Sequence, residues 1–220
     1  HRLFVSDMTN NRVLVFNLDA SNVLLDRIPD FVLGQANFTS NQAALTQAGL
    51  SNPHSVAFDS INNRLFVVSQ SQHRVLVFDT ATIVNGENAV SVLGQTNFTT
   101  ANASNSQAGM NTPYGVAYDP NNARLFVSLG NNSIHIYPVP NGAIVNGVAA
   151  SFEIGQPAAT PWSTTGAAIT QSGVNQPKDL AYDAINNRLF VADSGNHRVT
   201  VYDVTLVTMS NGMNAINEIG

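Results

Sequence analysis

Short runs of apolar residues alternate with polar segments along the whole chain. The stretch NRLFVADSGNHRVTVYD at 187–203 shows the pattern, because two apolar runs of strand length flank a polar segment that contains a glycine. Val, Ile, Leu, Phe and Tyr dominate the runs, and Asn, Gly, Asp and Pro bound them. This pattern predicts β-strands joined by turns. The one candidate helical segment is the stretch 41–50, NQAALTQAGL.

The strand pattern repeats along the chain. The tetrapeptide RLFV begins at Arg2, Arg64, Arg124 and Arg188, at spacings of 62, 60 and 64 residues. Each complete unit holds four apolar segments, which we name strands a (VAFD type), b (RLFV type), c (RVLVFD type) and d (VLGQ type). Four short strands at a constant period predict the blades of a β-propeller, because one blade cannot cover both of its faces and must stack on its neighbours.

The expected fold class is all-β, a β-propeller of four-stranded antiparallel blades. Residues 1–220 form a single propeller domain or a propeller fragment, with blade units at 1–35 (partial), 53–95, 113–156 and 177–220. The first unit has strands b, c and d but no strand a, so about 3.75 blades and fifteen strands are in view. We expect an upstream strand a before His1 and a larger ring of roughly six to eight blades, since an open edge at the axis is normally covered. A second copy of the chain is the alternative way to complete the ring.

One stretch carries a recognisable family motif. The string D-x-x-x-N-H-R-V, preceded by N-R-L-F-V, resembles the NHL repeat of β-propellers. The fourth unit carries it most fully, at Asp193, Asn196, His197, Arg198 and Val199. The first unit carries Asp7, Asn11, Arg12 and Val13, and the second carries His73, Arg74 and Val75 with Ser69 in the Asp place. The resemblance implies the fold but selects no function, because NHL-like propellers include protein-binding modules, RNA-binding modules and lyases.

The period of 60 to 64 residues exceeds the roughly 40–45 residues of a typical blade. The surplus lies in the links between strand d and the next strand a, and these links match one another as LTQAGLSNP (45–53), NSQAGMNTP (105–113) and ITQSGVNQP (169–177). Flexible insertions would not be expected to keep sequences that match one another within one chain. We therefore expect ordered links that pack Leu50, Met110 and Val174 onto the blades. Phe38 and Phe98 should be partly buried nearby, with Trp162 in their place in the third link.

Acidic residues and arginines recur five residues apart across the turns. The pairs are Asp7 with Arg12 and Asp193 with Arg198 at b–c turns, and Asp59 with Arg64, Asp119 with Arg124 and Asp183 with Arg188 at a–b turns. A carboxylate and a guanidinium on either side of a hairpin turn can form charge-assisted hydrogen bonds that hold it. In the third unit both members of the b–c pair are lost together, to Leu129 and Ser133. We interpret all five pairs as structural braces rather than catalytic groups.

Composition narrows the function classes. Only 10% of the residues are charged, the net charge is −5, and Lys178 is the single lysine. This argues against a nucleic-acid partner, which needs clustered Lys and Arg to displace counterions. The absence of cysteine excludes disulfides and thiolate metal sites. The sequence contains no run of about 18 apolar residues, which is the length that would predict a membrane-spanning helix.

The residues that open strand a are the candidate ligand-binding residues, because strand a lines the channel of a propeller and ligands usually bind at its mouth. They are His54, Ser55, Tyr114, Lys178 and Asp179. Zinc needs about three converging protein ligands, and only one visible unit offers a histidine here, so we assign no metal ligand and expect no cofactor. A channel-bound metal ion stays an alternative. Lys178 beside Asp179 could bind an anion or a sugar, although a solvated ion pair is the simpler interpretation.

Four N-glycosylation sequons begin at Asn37, Asn97, Asn102 and Asn131. A chain this rich in Asn, Ser and Thr is expected to contain about this number of sequons by chance. All four fall in d–a or b–c links, hence on one face of the predicted propeller. Together with the near absence of lysine, this composition is typical of surface or secreted proteins, and it favours an extracellular or cell-surface location.

Three functions remain open from the sequence. The first is a non-catalytic extracellular propeller that serves as a binding or structural module for a protein or glycan partner. The second is a propeller lyase or hydrolase with its site at the channel mouth, although neither G-x-S-x-G nor H-E-x-x-H is present. The third is a self-assembling subunit of a surface structure or filament, since uncharged Asn- and Thr-rich faces suit close packing.

Overall fold

A computed structural model describes residues 1–163 and 165–220, and this part of the chain contains fifteen strands and no α-helix. Blade 1 consists of β1 (Arg2–Asp7), β2 (Arg12–Asn17) and β3 (Phe31–Leu33). Blade 2 consists of β4 (Pro53–Asp59), β5 (Arg64–Ser69), β6 (Arg74–Asp79) and β7 (Ser91–Leu93). Blade 3 consists of β8 (Pro113–Asp119), β9 (Arg124–Leu129), β10 (Ser133–Pro138) and β11 (Phe152–Ile154). Blade 4 consists of β12 (Pro177–Asp183), β13 (Arg188–Asp193), β14 (Arg198–Asp203) and β15 (Asn217–Ile219).

The strands pair in chain order within each blade, as the repeat predicts. One sheet is three-stranded and three are four-stranded, and every pairing is antiparallel. The prediction of fifteen strands in four blades, the first without strand a, is therefore confirmed. The prediction of a helical segment at 41–50 is wrong, because these residues form an irregular link. No helix in the described ranges has the length and hydropathy to cross a membrane.

The blades stack in sequence through apolar faces. The inner strands β1, β4, β8 and β12 contact one another in that order. Three clusters of buried side chains lie between neighbouring blades. Every residue of β5 and β9 is buried, because blades 2 and 3 have a neighbour on both faces. Strands β1 and β13 alternate in exposure, since blades 1 and 4 each pack on one other blade within the described residues.

A repeated pair of hydrogen bonds joins strand d of one blade to the c–d link of the next. Asn85 Oδ1 accepts a hydrogen bond from Val32 N at 3.0 Å, and Gly86 N donates to Val32 O at 3.0 Å. The same two bonds join Val92 to Asn146 and Gly147, and Glu153 to Asn211 and Gly212. We call this pair of bonds the Asn–Gly clasp. Glycine is needed because φ lies between 63° and 67° at all three positions, a region that other residues rarely adopt.

The arginine that opens strand b forms a second link between blades. Arg64 donates to the carbonyl of Pro140 at 2.8 Å, and Arg124 donates to the carbonyl of Val204 at 2.7 Å. Arg2 donates to the carbonyl of Thr80 in the same manner. The motif RLFV therefore encodes contacts between blades as well as a strand.

The long links pack onto the blades, which confirms the expectation drawn from their sequence match. Leu50, Met110 and Val174 are completely buried. Phe98 is partly buried against the cluster between blades 1 and 2, whereas Phe38 is 38% exposed. Trp162 takes the corresponding place in the third link, with its ring centroid 4.9 Å from that of His135.

Four of the five predicted braces are ion pairs in the structure. The N–O distances are 2.7 Å for Asp7–Arg12, 2.7 Å for Asp59–Arg64, 2.5 Å for Asp119–Arg124 and 2.8 Å for Asp193–Arg198. The fifth pair, Asp183 and Arg188, forms no ion pair among the described residues. Arg64 and Arg124 are held by carbonyl groups of the following blade, and the exposed Arg188 has no such neighbour in the described ranges.

Burial and hydrogen bonding shift the pKa values of the brace carboxylates in opposite directions. Burial raises the pKa of Asp119, but hydrogen bonds from Asn122 and Arg124 outweigh it and hold that pKa below its usual value. The same balance, with Asn62 and Arg64 as donors, lowers the pKa of Asp59. Both carboxylates are therefore charged and satisfied inside the fold.

The second blade shows how the motif tolerates the loss of its aspartate. Ser69 takes the Asp place, and Gln72 Oε1 accepts hydrogen bonds from Ser69 Oγ at 2.8 Å and from Arg74 Nη2 at 2.8 Å. Arg74 is completely buried and also donates to the carbonyls of Thr46 and Gly49. Burial without a carboxylate partner lowers the pKa of Arg74 to about 10.

Candidate functional site

The five residues singled out at the channel mouth lie in a repeated backbone irregularity. Strand a of each complete blade shifts register between its first proline and the fourth residue, at Pro53/Val56, Pro113/Val116 and Pro177/Leu180. The two residues inside each shift are the pairs that open strand a. Such bulges re-aim side chains out of the ladder, and they are frequent beside functional sites.

The bulges bring three side chains from three blades into one row. The His54 ring meets the Tyr114 ring edge-on, with centroids 5.2 Å apart. Lys178 Nζ lies 3.5 Å from the centroid of the Tyr114 ring. His54 is exposed, and Tyr114 and Lys178 are half-buried. We call these three residues the mouth row. Its centre is an aromatic ring that contacts a cation, a combination that attracts π-systems and anionic groups.

Close backbone approach holds the row together. A Cβ at Gly115 would lie 2.7 Å from the Cα of Asp179, so only glycine lets β8 and β12 come this near. The Gly115 amide donates to Ser128 Oγ at 2.8 Å, and the Val116 amide donates to Ser55 Oγ at 3.4 Å. Ser55 therefore supports the neighbouring strand, and its hydroxyl is engaged with the backbone.

The interpretation of Lys178 and Asp179 as an ion pair is wrong. No salt bridge joins them within the part of the chain that the structure describes, because the Lys178 ammonium lies over Tyr114. The Asp179 carboxylate accepts a hydrogen bond from the amide of Leu180 at 2.9 Å, and its residue is exposed. The two charges therefore have separate surroundings: the lysine belongs to the mouth row and the aspartate faces solvent.

Within residues 1–163 and 165–220, no three His, Asp or Glu side chains come together as a metal site. The mouth row contributes one histidine, one tyrosine and one lysine. This set can stack, donate hydrogen bonds and pair with a carboxylate.

A second polar cluster, which the sequence analysis did not single out, lies inside blade 3. His135 and Glu153 are both buried, with Nε2 and Oε1 3.4 Å apart. His135 Nδ1 lies 3.1 Å from the Tyr137 hydroxyl, and Glu153 Oε2 accepts a hydrogen bond from the Trp162 amide at 2.6 Å. A comparison of equivalent positions in the repeats could have revealed this cluster, since His135 and Glu153 replace Leu76 and Val92 of blade 2. The cluster is inaccessible to a ligand because its two titratable side chains are at most 1% exposed.

The four sequons differ in accessibility. Asn37, Asn97 and Asn102 are exposed. The hydroxyl groups of Thr39 and Thr99 donate to the side-chain oxygens of Asn37 and Asn97 at 2.8 and 2.9 Å. Asn131 is only 5% exposed, so a glycan cannot be attached there in the folded chain without rearrangement.

Comparison with known proteins agrees with the architecture. Residues 174–202 match the model of the NHL repeat. A protein of Lactobacillus plantarum is similar at 16% identity, with a TM-score of 0.59 over 99% of this chain and 52% of that chain. Chaetomium thermophilum Sqt1, solved with the N-terminus of ribosomal protein L10, gives 19% identity and a TM-score of 0.54 over 99% and 44%. The periplasmic gluconolactonase PpgL of Pseudomonas aeruginosa gives 18% and 0.51 over 91% and 49%.

These similarities establish a fold and no more. The structural neighbours are β-propellers, and this chain spans about half the length of the solved structures that it matches. No curated protein sequence matches it significantly.

Proposed function

We propose that this chain, whose residues 174–202 are an NHL repeat, is a non-catalytic interaction module that binds a polypeptide partner at the channel mouth. The mouth row carries the proposal, since Tyr114 contacts His54 on one side and Lys178 on the other, in a continuous surface built from three blades. Propellers present such surfaces on a rigid scaffold. The Sqt1 structure, with the N-terminus of ribosomal protein L10 bound, is a precedent for a polypeptide ligand on this fold.

The chemistry of the row favours a segment with a carboxylate and an aromatic side chain. Lys178 is the only lysine of the chain, the residue is half-buried, and its ammonium lies over the Tyr114 ring. An anionic group of the partner would meet this cation, while an aromatic group would stack on His54 or Tyr114. Tyr and aromatic side chains supply much of the energy of binding surfaces.

Selection from a random peptide library tests the proposal. We expect enriched peptides that carry Asp or Glu next to an aromatic residue and that bind the chain with a Kd of about 1–100 μM, typical of modest interfaces. Tyr114→Ala and Lys178→Met should each weaken binding about tenfold or more. Ile185→Ala, at an exposed residue of an a–b turn, is the matched control and should leave the affinity unchanged.

Two results would contradict the proposal. One is a set of peptides whose binding is insensitive to Tyr114→Ala and Lys178→Met. The other is turnover of a sugar lactone by the pure chain that Lys178→Met abolishes, which would favour a hydrolase. A glycan array run in parallel distinguishes a carbohydrate ligand from a polypeptide.

The proposed location is extracellular or on the cell surface. The exposed sequons at Asn37, Asn97 and Asn102 support it, as does the composition with one lysine in 220 residues. Fractionation of the natural source with an antibody to the chain is the direct test. A signal confined to the cytosolic fraction would contradict the proposal.

A further inference from the structure

The sequence Asn–Gly occurs four times in the chain, at 85–86, 141–142, 146–147 and 211–212. In this sequence the backbone nitrogen that follows the asparagine can attack the side-chain amide with little steric hindrance, because glycine has no Cβ. Asn85, Asn141 and Asn146 are exposed and Asn211 is half-buried, so exposure does not separate the four sites. The hydrogen bonds of the glycine amides do separate them.

Three of the four pairs form Asn–Gly clasps, and a clasp holds both of the groups that would react. The glycine amides donate to strand d carbonyls at 2.9–3.0 Å, and the asparagine Oδ1 atoms accept from strand d amides at 2.9–3.0 Å. The three glycines are also tightly packed, since a Cβ at Gly86, Gly147 or Gly212 would lie 2.9, 3.2 or 2.3 Å from a backbone atom of the preceding blade's d–a link. Reaction at these pairs requires the clasp to open first.

The pair formed by Asn141 and Gly142 lies outside any clasp. Within residues 1–163 and 165–220, the Gly142 amide donates no hydrogen bond, and a Cβ at Gly142 would meet no atom within 4 Å. Asn141 Oδ1 accepts a hydrogen bond from Asn62 Nδ2 at 3.2 Å, and this contact is exposed to solvent. The Gly142 nitrogen and the side-chain carbon that it would attack are therefore open to water and free to approach each other.

This pair also lies at a joint between two blades. It belongs to the c–d link of blade 3, and Arg64 of blade 2 donates to the carbonyls on either side of Asn141. The distances from Arg64 Nη1 are 2.8 Å to the Pro140 oxygen and 3.2 Å to the Gly142 oxygen. A change in the main chain between these two carbonyls acts directly on the contact between blades 2 and 3.

We propose that Asn141 is a site of spontaneous deamidation and that the three clasp asparagines are protected from this reaction. The Gly142 nitrogen loses its proton to hydroxide and attacks Asn141 Cγ. The N–Cγ bond forms, the Cγ–Nδ2 bond breaks, and the Nδ2 group takes a proton from water and leaves as ammonia. Water then opens the cyclic imide at either of its carbonyls, which leaves aspartate or isoaspartate at position 141.

The isoaspartate product alters the joint between the blades. It adds one carbon atom to the main chain between the carbonyls of Pro140 and Gly142, so Arg64 cannot hold both carbonyls with the present geometry. Either product also adds a negative charge to a chain whose net charge is −5. Deamidation at this position therefore loosens the contact between blades 2 and 3.

Peptide mapping by mass spectrometry, during incubation of the pure chain in mildly alkaline buffer, tests the proposal. We expect conversion at Asn141 to be about tenfold or more faster than at each clasp asparagine, because reaction there must wait for two hydrogen bonds to open. Gly142→Ala is the matched control, since the fold has room for the added Cβ. It should slow conversion at Asn141 several-fold and leave the clasp asparagines unchanged.

Two further measurements separate the effect of the fold from that of the local sequence. In denaturant the difference in rate should disappear, because all four pairs are then unfolded Asn–Gly sequences. In the folded chain, hydrogen exchange of the Gly142 amide should be about tenfold or more faster than that of the amides of Gly86, Gly147 and Gly212. Equal conversion at the four sites of the folded chain would overturn the proposal, as would an order of rates that persists in denaturant.

The stability of the incubated protein tests the effect on the joint. Once Asn141 is converted, the Tm should lie about 2–4 °C below that of fresh protein, as expected for a weakened hydrogen bond to a charged group. Incubated Gly142→Ala should keep its Tm. Complete conversion without a change in Tm would overturn the inferred loosening of the joint. None of these results bears on peptide binding at the mouth row, so this proposal and the proposed function fail separately.

Discussion

The hydroxyl of Tyr137 donates a hydrogen bond to the carbonyl of Gly109 at 2.8 Å. In blades 2 and 4 an arginine makes the equivalent contact, since Arg74 and Arg198 donate to the carbonyls of Gly49 and Gly173. Blade 3 has Ser133 in the arginine place. The tyrosine therefore takes over the contact that ties the blade to the preceding link, and the loss of the Asp–Arg pair is compensated.

Tyr137→Phe should lower the free energy of unfolding by about 1–2 kcal/mol, because it leaves a buried carbonyl without its donor. Chemical denaturation of the two proteins measures the difference. Tyr202→Phe is the matched control, since Arg198 already donates to the corresponding carbonyl in blade 4. Equal losses for both variants would contradict the compensating role of Tyr137.

The brace at the b–c turn of blade 4 should stabilise the fold without affecting ligand binding. Arg198→Ala should cost about 1–3 kcal/mol, because Arg198 donates to Asp193 and to the carbonyls of Thr170 and Gly173. Arg188→Ala removes an exposed arginine and should cost much less. A variant Arg198→Ala that keeps its Tm but loses peptide binding would show that a binding residue has been taken for a brace.

Restoring the aspartate in blade 2 should stabilise the chain. Ser69→Asp combined with Gln72→Asn recreates the arrangement of blade 4, in which Asp193 accepts hydrogen bonds from Asn196 and Arg198. The buried Arg74 would gain a carboxylate partner. We expect a rise in Tm of a few degrees over Gln72→Asn alone, measured by calorimetry. A lower Tm for the double variant than for Gln72→Asn alone would indicate that the neutral network around Arg74 is more stable than an ion pair there.

The braces also predict how stability depends on acid. The folded pKa of Asp119 lies below its usual value, so its contribution to stability is present above an unfolded pKa of about 3.9 and is lost as the pH falls through the folded pKa. Asp119→Asn should therefore flatten the acid limb of the stability curve below about pH 4. Asp183→Asn, at a carboxylate in solvent, should change it less. Identical acid limbs for wild type and Asp119→Asn would contradict this assignment.

Accessibility predicts which sequons carry glycans. Expression in a glycosylating host and intact mass analysis should show modification at Asn37, Asn97 or Asn102 and none at the buried Asn131. Asn37→Gln should remove one glycan without changing the Tm. Occupancy at Asn131 in folded protein would contradict the burial of that side chain.

The repeat made most of the fold predictable. RLFV and VLGQ recur in phase, so strand number, order and blade boundaries followed from spacing, and the matching links predicted the burial of Leu50 and Met110. Contacts between blades were harder to predict, because they join residues about 53 to 80 positions apart. The sequence around Arg124 gives no indication that this arginine donates a hydrogen bond to the carbonyl of Val204.

The repeat indicates which residues open strand a, but it does not predict the geometry of their side chains. Strand a of a propeller places residues such as Tyr114 at the mouth, which a repeat reveals. The turn of the Lys178 ammonium toward Tyr114 and away from Asp179 depends on the bulge and on the close approach at Gly115. Neither has a signature in a single sequence.

Hydrogen exchange of the chain with and without a selected peptide tests whether the peptide binds at the mouth row. We expect protection confined to residues 53–56, 113–116 and 177–180, which carry the mouth row, and we expect Tyr114→Ala to abolish it. Protection centred on the outer strands β7, β11 or β15, with the mouth row unchanged by a saturating peptide, would contradict binding at this site.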